Sequence, residues 1–213
     1  MPRKYIEGNV SISHLYLTEI PDFLAGVEIK GGFYCSHNKL TSLKGSPLTV
    51  SENFYCSKNN LTSLEGCPTT VGGHFKCGEN IFLTSLVGAP TTVGGSFICD
   101  GNRLTSLEGC PTTIKSDFWC HGNLLRSLEG GPTTVGGSFF CMGNKLTSLK
   151  GSPSTVGGNF FCNKNMLTSL EGCPTRVESN FVITDNKDKD GNPLKFTEEE
   201  IRAVCRVKGK VFV

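Results

Sequence analysis

A unit of about 21 residues recurs eight times in register between residues 29 and 186 and reads V-G-G-x-F-x-C-x-x-N-x-L-T-S-L-x-G-x-P-x-T. Its Phe returns at Phe33, Phe54, Phe75, Phe97, Phe118, Phe139, Phe160 and Phe181. Its Cys returns at Cys35, Cys56, Cys77, Cys99, Cys120, Cys141 and Cys162, with Ile183 in the eighth slot. Its Asn returns at Asn38, Asn59, Asn80, Asn102, Asn123, Asn144, Asn165 and Asn186. One such unit is too small to bury its own apolar face. A fixed period of this length therefore predicts a solenoid, in which each turn covers the next.

The turn itself can be built from the residues. In Ser96-Phe97-Ile98-Cys99 side chains alternate along a short strand, so Phe97 and Cys99 face one way and Ile98 the other. Phe and Cys are the repeated members and are expected to face the core. Each Asn, stacked on the Asn of the next turn, is expected to satisfy backbone groups of the bend. Leu104 and Leu107 fill the core from the second side. Pro111 excludes helix and favours an extended or polyproline-like return. Val93 and its equivalents re-enter the core, and Gly-Gly supplies the corner. Asn80-Ile81-Phe82-Leu83 carries one extra residue, which predicts a local bulge.

The pattern F-x-C-x-x-N-x-L-x-x-L resembles the leucine-rich repeat L-x-L-x-x-N-x-L-x-x-L, with Phe and Cys in two Leu slots. With L-T-S-L-E-G-C-P and V-G-G-S-F, it is similar to a Phe/Cys variant found in proteins of bacteriophages and some bacteria. The resemblance spans most of the chain. It implies a β-rich, leucine-rich-repeat-like solenoid with a parallel sheet of about nine short strands. The expected organisation is a single domain over 1–213, with an N-terminal cap turn at 1–28, eight repeats at 29–186 and a C-terminal helix/strand cap at 187–213. Val10-Ser11-Ile12 and Leu17-Thr18-Glu19-Ile20-Pro21 form a degenerate first turn with Leu15 in the Asn slot. Thr197-Glu198-Glu199-Glu200 reads as a capping box that opens a short helix ending near Cys205. Lys208 to Val213 reads as a turn and a last strand.

The 213 residues carry a net charge of +2, which argues against nucleic acid as a partner. No run approaches the ~18 apolar residues of a membrane span. The first residues have charge but no apolar segment of a leader, which predicts a cytoplasmic, reducing location in which the 11 cysteines stay free. One ladder cysteine per turn makes a row, not a tetrahedron, so these thiols read as small core hydrophobes with no metal. Cys67, Cys110 and Cys173 occupy a small-residue slot that elsewhere holds Ser46, Ala89, Gly131 and Ser152. Cys205 lies outside the repeat and has no evident activating partner. Asn186 to Gly191 resembles half of a calcium loop. Its twelfth position is Thr197, so a polar exit turn is expected. No nucleophile elbow, phosphate loop or dinucleotide fingerprint is present, and neither an enzyme nor a cofactor is expected.

The informative position lies between Phe and Cys. It holds Tyr34, Tyr55, Lys76, Ile98, Trp119, Phe140, Phe161 and Val182, and is expected to face solvent. An aromatic stripe on a solvent face either pairs across strands for stability or serves as an interaction surface. The latter reading makes Tyr34, Tyr55, Lys76, Ile98, Trp119, Phe140 and Phe161 a protein-binding face, flanked by Asp117, His121, Met142 and Lys164. The phage resemblance implies a host factor or defence component as the partner. Two other classes use the same stripe: a homo-oligomer meeting itself across a two-fold axis, and a nucleotide or small-molecule sponge with bases stacked on the rings.

Overall fold

The computed structural model describes residues 4–213, and its chain winds as a parallel β-solenoid. Ten two-residue strands form the front ladder: Val10–Ser11, Phe33–Tyr34, Phe54–Tyr55, Phe75–Lys76, Phe97–Ile98, Phe118–Trp119, Phe139–Phe140, Phe160–Phe161, Phe181–Val182 and Val211–Phe212. Phe pairs with Phe from Phe33 to Phe181, and the residue after it with its own equivalent. The expected sheet of about nine short strands is present and counts ten. Val211–Phe212 returns to the edge after the helix and pairs with Phe181–Val182.

A back ladder accompanies it, formed by the return that the sequence leaves as extended or polyproline-like. Tyr5–Ile6, Glu28–Ile29, Thr49–Val50, Thr70–Val71 and Thr92–Val93 make one five-stranded sheet. Thr113–Ile114, Thr134–Val135, Thr155–Val156, Arg176–Val177 and Arg206–Val207 make another. The repeat Pro sits just ahead of these strands, so its missing N–H costs no ladder bond.

The core is the strip between the ladders. All eight repeat Phe rings are fully buried, with successive centroids 5.1–5.9 Å apart. Each buried Phe contributes roughly 1.5–3 kcal/mol of transfer free energy. The seven ladder Cys residues and the repeat Leu residues from Leu40 to Leu167 share this strip, also fully buried, and Leu170 packs against its margin.

Two hydrogen-bond columns hold the turns in register. In the first, Asn123 Nδ2 donates to Cys120 O and to Cys99 O of the preceding turn, both at 3.0 Å. Its Oδ1 accepts from Leu104 N of the preceding turn at 3.0 Å. Asn38 does the same for the degenerate first turn, which lacks its own Asn: it accepts from Leu15 N and Leu17 N and donates to Ile12 O. The second column uses the residue just before each Phe. Asn53, His74, Ser96, Asp117, Ser138, Asn159 and Asn180 each accept from the backbone N–H at the same position of the following turn.

Backbone conformation explains two other repeat features. The residue two after each ladder Cys is left-handed, with φ between +55° and +65° at His37, Lys58, Glu79, Gly101, Gly122, Gly143 and Lys164. The first Gly of the Gly-Gly corner is required by proximity, not by φ. A Cβ on Gly94 would lie 1.9 Å from Gly72 O, and one on Gly157 2.0 Å from Gly136 O. The extra residue does produce a bulge: Leu83 N donates to Asn80 O, Leu83 keeps its core slot, and Ile81 and Phe82 are pushed into solvent.

At the C-terminal end Asn186–Lys187 and Pro193–Leu194 form a hairpin. Asp188 Oδ1 accepts from Asp190 N and Asn192 N, both at 2.8 Å, the polar exit turn expected from the sequence. Helix α1 (Glu198–Val204) carries the capping box between Thr197 and Glu200. Arg202 anchors it by donating to Val207 O and Gly209 O.

Candidate functional site

The outer column of the front ladder is one continuous register. It runs Ser11, Tyr34, Tyr55, Lys76, Ile98, Trp119, Phe140, Phe161, Val182 and Phe212. The strand phase read from the sequence holds throughout the repeats, with Phe buried inward and its neighbour on the outer face.

The column is not uniform. Tyr34 and Tyr55 meet edge to face at 5.3 Å. Burial and then the neighbouring Tyr34 push the Tyr55 phenol above its ordinary range. Lys76 and Ile98 separate this pair from a second group. There Trp119 lies 4.7 Å from Phe140, and Phe140 stacks on Phe161 at 4.8 Å with 9° between planes. The column side chains from Tyr34 to Val182 are half-buried, not fully exposed as expected, because each ring covers part of the next. The most exposed large apolar side chains lie elsewhere, at Tyr16, Phe23, Tyr5, Ile81 and Leu15.

Among the residues expected to flank the stripe, His121 borders Trp119, its ring 5.7 Å away, with Nε2 3.7 Å from Asp100 Oδ2. The Trp119 Nε1 is shielded and meets no acceptor within the protein. Asp117 is not a free rim residue: its Oδ1 accepts from Ser138 N in the second hydrogen-bond column. Met142 is half-buried, and Lys164 is exposed in a left-handed bend.

Phe212 is the member that repeat reading missed. It follows the helix and belongs to no recognisable unit, yet it pairs with Val182 and extends the column. The signal was present in Val211-Phe212-Val213, where Val211 takes the Phe slot and Phe212 the outer one.

Burial pushes every ladder thiol upward, so these cysteines are packed and unreactive. Among the described residues no group of three or more His, Cys, Asp and Glu side chains is arranged to hold a metal ion. No helix among them is long and apolar enough to cross a membrane. No family model, curated protein or solved structure matches the chain.

Proposed function

We propose that the protein is a non-enzymatic binding module that presents the outer column of its front ladder to a protein partner. One observation carries this reading. Six successive register positions, Ile98, Trp119, Phe140, Phe161, Val182 and Phe212, place apolar side chains in an unbroken row on an outer sheet face. Cross-strand pairing accounts for part of such a row, but pairing is worth only ~0.2–1 kcal/mol per contact and does not require large rings. Aromatic anchors in a half-buried, pre-ordered row are the side chains that carry protein–protein binding energy. Tyr34, Tyr55 and Lys76 continue the face toward the N-terminal end with a more polar character. The Phe/Cys repeat's likeness to phage-borne leucine-rich repeats supports a host protein as the partner, met in a reducing cytoplasm.

The test is a capture experiment with the wild type beside Trp119→Ser/Phe140→Ser, after circular dichroism establishes that both are folded. The proposal expects a protein retained by the wild type and lost from the variant. Equal recovery by both moves the site off the column. Concentration-dependent light scattering that disappears in the variant assigns the face to self-association instead.

A further inference from the structure

The C-terminal cap joins the last repeat through two cysteines. Arg206–Val207 pairs with Arg176–Val177, with Arg206 N donating to Thr175 O at 2.9 Å. This register sets Cys205 beside Thr175, two residues from Cys173. The two thiols act on each other directly across this junction. Cys205 is buried at the end of α1, and a shallow depression lined by Arg202, Ala203, Val204, Arg206 and Val207 opens onto it. Cys173 is half-buried at the margin of the core. Cys67 and Cys110 occupy the same slot as Cys173 in earlier turns, but neither has a Cys205 beside it.

The pair is chemically asymmetric. The neighbouring Cys173 thiol, and then the Arg202 guanidinium and the Val177 backbone, favour the Cys205 thiolate, so Cys205 ionises below an ordinary thiol despite its burial. The same neighbour, with burial, holds Cys173 protonated. A lowered thiol beside a second thiol is the arrangement in which sulfenate formation is followed by disulfide closure.

We propose that Cys173 and Cys205 are a redox pair, and that oxidation by a peroxide joins them in a disulfide that fastens the C-terminal cap to the solenoid. In the first step the Cys205 thiolate attacks a peroxide oxygen. An S–O bond forms, the O–O bond breaks, and hydroxide leaves and takes up a proton as water. In the second step Cys173 sulfur attacks Cys205 sulfur. The S–S bond forms, the S–O bond breaks, and the departing hydroxide takes the Cys173 proton. Two thiols are oxidised and one hydrogen peroxide is reduced to two waters. Closure brings the two sulfurs to a bond of about 2.05 Å. The link closes a chain loop containing the exit hairpin and α1. It therefore acts on the end of the solenoid, where opening begins.

The native protein is treated with stoichiometric hydrogen peroxide and digested without reduction for mass spectrometry. The expected product has lost about 2 Da by removal of two hydrogens at one disulfide, yields a Cys173–Cys205 cross-linked peptide, and reverts with dithiothreitol. Hydrogen exchange in α1 and in Arg206–Val207 is expected to slow more than tenfold in the oxidised form. In Cys173→Ala, a change the slot accommodates because Ala89 fills it elsewhere, Cys205 is expected to stop at sulfenate and take up one dimedone. The proposal is overturned if peroxide yields sulfinate without the cross-link. It is equally overturned if the link forms only in urea, or if Cys67 and Cys110 react as fast as the pair.

Discussion

Replacing Asn123 by Ala tests the account of what binds one turn to the next. The side chain is buried and serves four backbone groups: Leu104 N–H, Cys99 C=O, Cys120 C=O and, at 3.3 Å, His121 C=O. Alanine leaves Leu104 N–H without a partner in a strip from which water is excluded, while Cys99 C=O, Cys120 C=O and His121 C=O keep Asn102 Nδ2, Asn144 Nδ2 and Gly101 N–H. A buried orphan N–H costs ~1–3 kcal/mol, and the carbonyls, each still holding one donor, add little. The expected loss is about 1–3 kcal/mol. Asn123→Asp sharpens the test. Its carboxylate still accepts from Leu104 N–H, but now faces the Cys99 and Cys120 carbonyls with no proton to offer. Its folded pKa must then rise above the unfolded value near ~4. The penalty is smallest below that pH and grows as pH rises through the unfolded and then the folded pKa. Urea unfolding followed by Trp119 fluorescence and circular dichroism gives the stability. Hydrogen exchange at the Leu104 amide reports the orphan directly. A loss under ~1 kcal/mol with unchanged Leu104 protection would refute the reasoning, because the backbone would then be finding its partners elsewhere.

Two further outcomes follow from the bends and the N-terminal edge. Lys164→Gly relieves a left-handed residue and is expected to stabilise by roughly 0.5 kcal/mol after the entropy of glycine is subtracted, while Gly122→Lys, at the same place in its turn, destabilises by a similar amount. Equal and unsigned effects in thermal melts would dissociate the bend from φ. His37 stacks on His14 at 4.2 Å, and desolvation followed by the His14 and Lys58 charges holds its pKa below the ordinary value. The folded state therefore binds this proton less readily than the unfolded chain, and stability at this edge falls as pH drops through about 6.5. NMR titration checks it: His14→Gln should raise the His37 pKa part of the way, and a wild-type value at or above the ordinary one would contradict the assignment.

The front ladder was legible because the repeat fixes its phase: Phe97 and Cys99 inward leave Ile98 outward on any parallel strand. The Asn column was legible because a polar residue recurring among core residues must satisfy backbone groups. The back ladder was not, since Thr113-Ile114 is two residues long and follows a Pro, so neither alternation nor length marks it as a strand. The second hydrogen-bond column was hidden differently. Asn53, His74, Ser96, Asp117 and Ser138 share no residue type, only a capacity to accept, and a repeat search by identity passes over them. The half-burial of Trp119, Phe140 and Phe161 depends on ring packing across turns, which no single turn encodes. Phe212 and the Cys173–Cys205 contact both arise where the chain leaves the repeat and comes back to it.

Each of the stacked columns closes between adjacent turns, and none needs a residue two turns away. The number of turns is therefore a free quantity of this architecture. Adding or removing one whole unit leaves every remaining contact in its place and changes the outer row by one side chain and ~4.8 Å. The repeat behaves as a ruler: the footprint that the row offers is counted in units, while its chemistry is set one residue at a time.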